Sequence, residues 1–124
     1  MPDGPAARPR VLVVEDEPDT RAMTVDALGG RYDVVAVGTV AEALASAGAA
    51  LPAAIVLDLA LGGESGWDLV RSVPEDGALR RVPIVVLSAT PPGDPPPGVG
   101  PWAAYLTKPC PMGRLREVLA SIVP

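Results

Sequence analysis

Five polar groups stand just beyond the carboxyl ends of short apolar runs in this chain. Glu15 and Asp16 follow Val11 to Val14, Asp58 follows Ile55-Val56-Leu57, Ser88 follows Ile84 to Leu87, and Lys108 lies just past Tyr105-Leu106. Each alone has a plain reading. Acidic residues before Pro18 favour the positive end of a helix dipole, and an aspartate at a strand end is commonly a turn or cap residue. Together they describe a chemistry. Three carboxylates gathered at one sheet edge repel one another unless they are protonated or neutralised by a cation. An all-oxygen site with few protein ligands suits Mg²⁺, which retains several waters and often shares a phosphate. Lys108 stands just before a final helix, where the dipole disfavours a cation unless an anion is near. The set reads as a magnesium and phosphoryl site.

Such a set converges only if the apolar runs are neighbouring parallel strands. Val11 to Val14 is a short β-branched run ending in acid. Pro18 suits the first turn of a helix, with Ala22, Val25 and Leu28 at helical spacing until Gly29-Gly30 stops it. A second strand, Asp33 to Val37, leads through the capping-box pattern Thr39 to Glu42 into an alanine-rich helix ending near Gly48. After the strand Ile55 to Leu57 come a glycine-bearing loop and a shorter helix from about Trp67 to Val73. Ile84 to Leu87 and Tyr105-Leu106 are the remaining strands, and Met112, Leu115, Val118, Leu119 and Ile122 form the apolar stripe of a closing helix. Strands apolar throughout, separated by helices, predict a doubly wound α/β fold whose five-stranded parallel sheet is covered on both faces. Ligands in such folds bind beyond the carboxyl ends of the strands.

Composition narrows the function. With 124 residues the chain suits one domain, expected over residues 10–124 after a flexible segment at 1–9 rich in Pro, Gly and Ala. A formal charge of −5 argues against a nucleic-acid binder. No apolar run reaches the length of a membrane span, and the start "MPDGPAARPR" lacks a signal-peptide core, so a soluble cytoplasmic protein is expected. The single cysteine, Cys110, excludes an intrachain disulfide, and the lack of histidine excludes imidazole catalysis. The chemistry must run on carboxylates, hydroxyls and lysine.

At this point the sequence resembles the receiver domains of two-component response regulators over nearly its whole length. "VLVVEDEP" at Val11 to Pro18 resembles the family's first strand and acidic pair. "IVLDLALGGESGWDLV" at Ile55 to Val70 resembles the phosphoacceptor segment, with Gly66 eight residues after Asp58. "VPIVVLSA" at Val82 to Ala89 places Ser88 thirty residues after Asp58, and "YLTKP" at Tyr105 to Pro109 carries the lysine and the aromatic three residues before it. Each motif alone is weak, whereas all four in order are highly specific.

The resemblance implies a flavodoxin-like receiver fold. It implies Asp58 as the nucleophile that takes a phosphoryl group from a phosphohistidine. It also implies Mg²⁺ held by Asp16, Asp58 and the backbone carbonyl of Ala60 with help from Glu15. Lys108 and the Ser88 hydroxyl are expected to bond phosphoryl oxygens, and Tyr105 to turn inward in response to Ser88. A cis peptide between Lys108 and Pro109 is expected. The donor is a histidine kinase or phosphotransfer protein. Output is expected through another protein or a relay, since no further domain follows Val123. The module is not a turnover enzyme in the classified sense.

Three departures stand out. "ATPPGDPPPGVGPW" at Ala89 to Trp102 carries six prolines where relatives have their fourth helix, and each interior proline costs a helix ~3 kcal/mol. The fourth helix is therefore expected to be missing or reduced to a Pro-rich loop, with Trp102 pinning it to the core. Gly62 replaces a frequent proline, which either loosens the loop beside Asp58 or changes little. Cys110 replaces a frequent phenylalanine and reads as a small buried hydrophobe.

Rival readings fare less well. A haloacid-dehalogenase type phosphohydrolase needs a second aspartate two residues after the nucleophile, and position 60 is alanine. A flavodoxin-like cofactor binder needs a phosphate loop where "EDEPD" would repel phosphate. The sharper alternative is a pseudo-receiver, a binding module acting without phosphorylation.

Overall fold

The computed structural model describes residues 8–72, 77–89 and 102–123. Strands β1 (Arg10–Val14), β2 (Asp33–Val37), β3 (Ala54–Asp58), β6 (Ile84–Ser88) and β7 (Ala104–Thr107) form one parallel sheet in the order β2-β1-β3-β6-β7. A small antiparallel pair, β4 (Ala60–Leu61) and β5 (Glu64–Ser65), follows β3 directly. Helices α1 (Pro18–Leu28), α2 (Val40–Ala49), α3 (Trp67–Ser72) and α4 (Met112–Ile122) complete the described elements, with a 3-10 turn at Leu79–Arg81.

Alternation along the central strands builds two cores. Leu12, Val14, Ile55, Leu57, Ile84 and Val86 point to the face covered by α2 and α3. Val11, Val13, Val56, Val85 and Leu87 point to the face covered by α1 and α4, where Leu28, Leu115 and Leu119 are buried. Both faces being apolar is what makes these strands read as continuous hydrophobic runs. The doubly wound five-stranded sheet is as expected. The Pro-rich segment, and with it the expected loss of a helix, lies outside the described residues.

Local signals account for the helix starts. Pro18 is the first residue of α1, and the Glu17 carboxylate caps it by accepting from the N–H groups of Asp19 (3.2 Å) and Thr20 (2.6 Å). Those bonds hold the Glu17 carboxyl below its ordinary range. Thr39 caps α2 by accepting from Glu42 N at 3.1 Å, and the Glu42 side chain reaches back to Gly38 N at 3.1 Å. The expected stripe of α1 needs correction. Ala22 is exposed, while Thr24 is buried beside Leu28, its hydroxyl satisfied by donating to the Thr20 carbonyl at 2.8 Å. A threonine whose hydroxyl is bonded within its own helix packs as a small apolar residue, which spacing of apolar types does not reveal.

Strand order sets the site. The connections after β1 and β3 leave the sheet in opposite directions, so the crevice between their carboxyl ends is the topological switch point of the fold. Glu15 and Asp16 follow one of those ends and Asp58 closes the other.

Candidate functional site

The backbone brings the expected residues to one edge by direct pairing. The Glu15 N–H donates to Val37 O at 2.9 Å, and Lys108 N donates to Ser88 O at 2.7 Å. Glu15, Asp58 and Ser88 are thus carried to the sheet edge as buried side chains, while Asp16 is exposed. One carboxylate oxygen from each of Glu15, Asp16 and Asp58 can lie within 4.8 Å of the others. The Lys108 ammonium reaches into this cluster, 2.7 Å from Asp58 Oδ2 and 3.6 Å from Glu15 Oε1. The other Asp58 oxygen accepts from Ala60 N at 2.9 Å. The Lys108–Pro109 peptide is cis, as expected.

Tyr105 lies elsewhere. Its ring packs 5.6 Å from that of Trp102, which in turn stands 5.4 Å from Trp67, on the face covered by α2 and α3. Both tryptophans are partly buried against that core, while the segment that Trp102 is expected to pin lies outside the described residues. Cys110 is half-buried rather than fully buried, with its thiol pushed upward by burial.

Charge in this cluster is not balanced. Burial drives the Glu15 carboxyl from 4.5 to about 7, and the Asp58 carboxylate adds to the shift, against a hydrogen bond from Glu17 N–H and the Lys108 charge. Burial pulls the Lys108 ammonium downward, but its bond to Asp58 and the charges of Asp58 and Glu15 outweigh this and leave it raised. A proton or a cation is therefore wanted at Glu15 near neutral pH.

The sign of the resulting pH dependence follows. Between pH 4.5 and about 7 the native chain holds a Glu15 proton that the unfolded chain has released. Stability from this group is full below the lower value and is lost as pH rises through the upper one. Metal-free protein is expected to lose at most about 3 kcal/mol from this source, at 1.36 kcal/mol per pH unit over that window. Urea unfolding of the wild type and Glu15→Gln at pH 5 and 7.5 checks this. The variant should show the smaller difference, and equal differences would remove Glu15 as the cause.

Two features at the site were not legible as functional in the sequence. Beside Lys108 opens a cleft of about 440 Å³ between α1 and the start of α4, with Thr20, Met23, Leu87, Pro109, Cys110 and Met112 in its walls. Met23 is 59% exposed there, large for an apolar residue. The loop after Asp58, read only as glycine-bearing, is the hairpin β4–β5. Gly62 has φ of 63°, the sign that a two-residue type II′ turn requires at its first central position, and the following Gly63 does not share it. A Gly-Gly pair between short segments was the available signal. Proline cannot take this φ, so the departure from the frequent proline is structural.

The family model for the response regulator receiver domain matches residues 11–120. The chain is 38% identical over 91 residues to the sensor histidine kinase TmoS of Ectopseudomonas mendocina, an overlap of 73% of this chain and 9% of that protein. It is 36% identical over 83 residues to the DNA-binding response regulator MtrA of Mycolicibacterium smegmatis, covering 66% of this chain and 35% of that one. The chain thus spans about a third or less of these two relatives. Among solved structures, the receiver domain of a sensor histidine kinase from Pseudomonas aeruginosa PAO1 superposes with a TM-score of 0.83 at 29% identity. The match covers 94% of this chain and 98% of that one, which has a magnesium ion coordinated in its active-site cleft.

Proposed function

The chain belongs to the response regulator receiver domain family, and from that premise we propose that it accepts a phosphoryl group on Asp58 in a two-component or phosphorelay pathway. The observation that carries this reading is the placement of Asp58. Its carboxylate sits at the switch point, 2.7 Å from the Lys108 ammonium and grouped with those of Glu15 and Asp16.

The donor set fits Mg²⁺. Three carboxylates supply hard oxygen ligands, and a buried Glu15 whose carboxyl is raised supports the reading that the cluster takes positive charge beyond Lys108. Asp16, Asp58 and the Ala60 carbonyl would hold the ion, with Glu15 assisting. When bound, it supplies neutralisation of charge on the transferring phosphoryl oxygens.

The chain's own residues do the rest. The Ala60 N–H and Lys108 fix the Asp58 carboxylate in one orientation. One Asp58 oxygen attacks the phosphorus of a phosphohistidine on a partner. The P–N bond breaks, its electron pair returns to the imidazole, and an acyl phosphate forms on Asp58. Lys108 then pairs with a phosphoryl oxygen, and the Ser88 hydroxyl bonds another. Tyr105 responds to Ser88, and that response is read by a downstream protein. The donor is a histidine kinase or phosphotransfer protein, for which the cleft lined by Glu15 and Lys108 offers a docking surface. Among the described residues no helix is long and apolar enough to cross a membrane. A cytoplasmic setting and a role without nucleic-acid contact belong to this proposal and rest on composition.

The test is intact-protein mass after incubation with acetyl phosphate, with and without Mg²⁺. A single added phosphoryl group that requires Mg²⁺ is expected. A folded, Mg²⁺-supplied sample that gains no mass would overturn the reading in favour of a module acting without phosphorylation.

A further inference from the structure

We propose that Glu64 is a positioning residue, tethering the β4–β5 hairpin to the N-terminus of α2 and so holding the rim of the acidic site in place. What the rim serves rests on the phosphoacceptor reading, whereas the tether is a property of the chain by itself.

The hairpin touches two of the carboxylates. Its base begins at Ala60, whose N–H bonds Asp58 Oδ1. Its tip is Gly62, where an added Cβ would lie 3.0 Å from Asp16 Oδ2. One small element therefore spaces Asp16 from Asp58. Its pairing, Ala60 with Ser65 and Leu61 with Glu64, is too short to be stable alone. Something outside it must hold it.

Two anchors do so. Leu61 is buried at 3% exposure in the core that includes Val40. Opposite it, Glu64 Oε1 accepts from Val40 N at 2.6 Å, a partner 24 residues away. Val40 is the first residue of α2, and its N–H is one of the donors that a helix leaves without an internal partner. The helix already has a local cap in Thr39, with Glu42 reaching back to Gly38. Glu64 is thus an addition from a distant segment, and its consequence is to fix the hairpin. A carboxylate on a helix N-terminus is a strong form of such a bond.

The experiment compares Glu64→Ala, Glu64→Gln and Gly62→Ala with the wild type. Mg²⁺ affinity is measured by calorimetry at a temperature where all are folded, and the Asp16 carboxylate ¹³C shift is measured without metal. Loss of the acceptor in Glu64→Ala is expected to weaken Mg²⁺ binding by up to about tenfold, the lower bound for losing a direct partner of a metal ligand, since Glu64 acts through the hairpin. The Asp16 resonance should move as well. Glu64→Gln keeps an acceptor oxygen and should lie within about twofold of wild type. Gly62→Ala both crowds Asp16 and strains the turn at φ 63°, so it should weaken Mg²⁺ binding while the Glu64 acceptor for Val40 N is kept. A purely stabilising role would lower the melting temperature of Glu64→Ala yet leave Mg²⁺ affinity and the Asp16 shift unchanged, and that result overturns the proposal. Should the wild type bind no Mg²⁺, the phosphoacceptor reading fails, and the tether stands or falls on the Asp16 shift in Glu64→Ala. If Glu64→Ala does not fold, Glu64→Leu, which has no acceptor but keeps the bulk of the side chain, takes its place in both readouts.

Discussion

Asp58→Asn is expected to fold and to take up no phosphoryl group, from acetyl phosphate or from a phosphohistidine donor, at any Mg²⁺ concentration. The amide keeps the size of the side chain and one acceptor oxygen, so one of the two contacts, from Lys108 at 2.7 Å or from Ala60 N at 2.9 Å, can persist. What it lacks is the negative oxygen that the proposed function has attack phosphorus. Loss should be complete in intact mass, since of the three clustered carboxylates Asp58 lies nearest the Lys108 ammonium, at 2.7 Å against 3.6 Å for Glu15. Residual modification that maps to Glu15 or Asp16 would show that proximity to Lys108 does not define the nucleophile.

The same variant carries a second, less obvious expectation. Asp58 is one of the causes of the upward shift at Glu15. Burial, the larger cause, remains, so removing the Asp58 charge should bring the Glu15 carboxyl only part of the way toward its ordinary value. Metal-free Asp58→Asn should therefore unfold at a urea midpoint no lower than the wild type at pH 7.5, and with weaker pH dependence. A clearly lower midpoint would mean that the Lys108–Asp58 pair outweighs repulsion among the carboxylates.

Gly66→Ala is expected to cause the largest stability loss of any single methyl addition near the site. A Cβ at Gly66 would sit 2.6 Å from the Asp58 carbonyl oxygen, 2.9 Å from Leu59 Cα and 3.2 Å from Leu57 Cδ1. The first two belong to backbone, so relief requires moving β3 or α3 rather than turning a side chain. Gly66 N also donates to Leu59 O at 2.9 Å, and Gly66 O receives Leu69 N at 3.1 Å, so the glycine seats α3 on the chain leaving β3. Overpacking of this kind costs about 1–3 kcal/mol, occasionally more. The upper end is expected here, together with slower phosphorylation, because the segment that moves carries Asp58. Gly48→Ala is the matched control. A Cβ there meets nothing within 4 Å, and the position lies inside α2, so the exchange should stabilise by up to about 1 kcal/mol. Urea midpoints of the three proteins decide the matter. A Gly66→Ala midpoint equal to wild type would show that the β3–α3 connection yields at little cost.

Much of this was legible because the information is local. Each central strand announces itself as an apolar run, since a parallel sheet between two helical layers keeps its inner strands from water. Asp58, Ser88 and Lys108 could be singled out because the polar residue that ends such a run marks the sheet edge where ligands bind. The helix starts at Pro18 and Thr39 were equally plain, because their caps lie within a few residues of the groups they satisfy.

Other features are set by contacts between distant segments. Glu15 and Asp16 are adjacent carboxylates of nearly the same chemistry, yet one is buried at 5% exposure and driven to about 7 while the other faces solvent. Neither residue type nor spacing says which side of the chain the folded sheet will cover. The stripe of α1 was misread at Ala22 because a buried threonine with an internally bonded hydroxyl looks polar in sequence. The hairpin after Asp58 escaped notice because it is stable only with Leu61 in the core and Glu64 on α2.

By itself, then, the sequence determined the strands, the edge at which they end, and the residue types gathered there, because hydrophobic period and capping act over a few residues. Tertiary structure alone decided which carboxylate is buried, which oxygen Lys108 holds across 50 residues, and what steadies the rim beside Asp16. Those depend on desolvation and on distances between segments far apart in the chain, and such energies exist only once the sheet has closed.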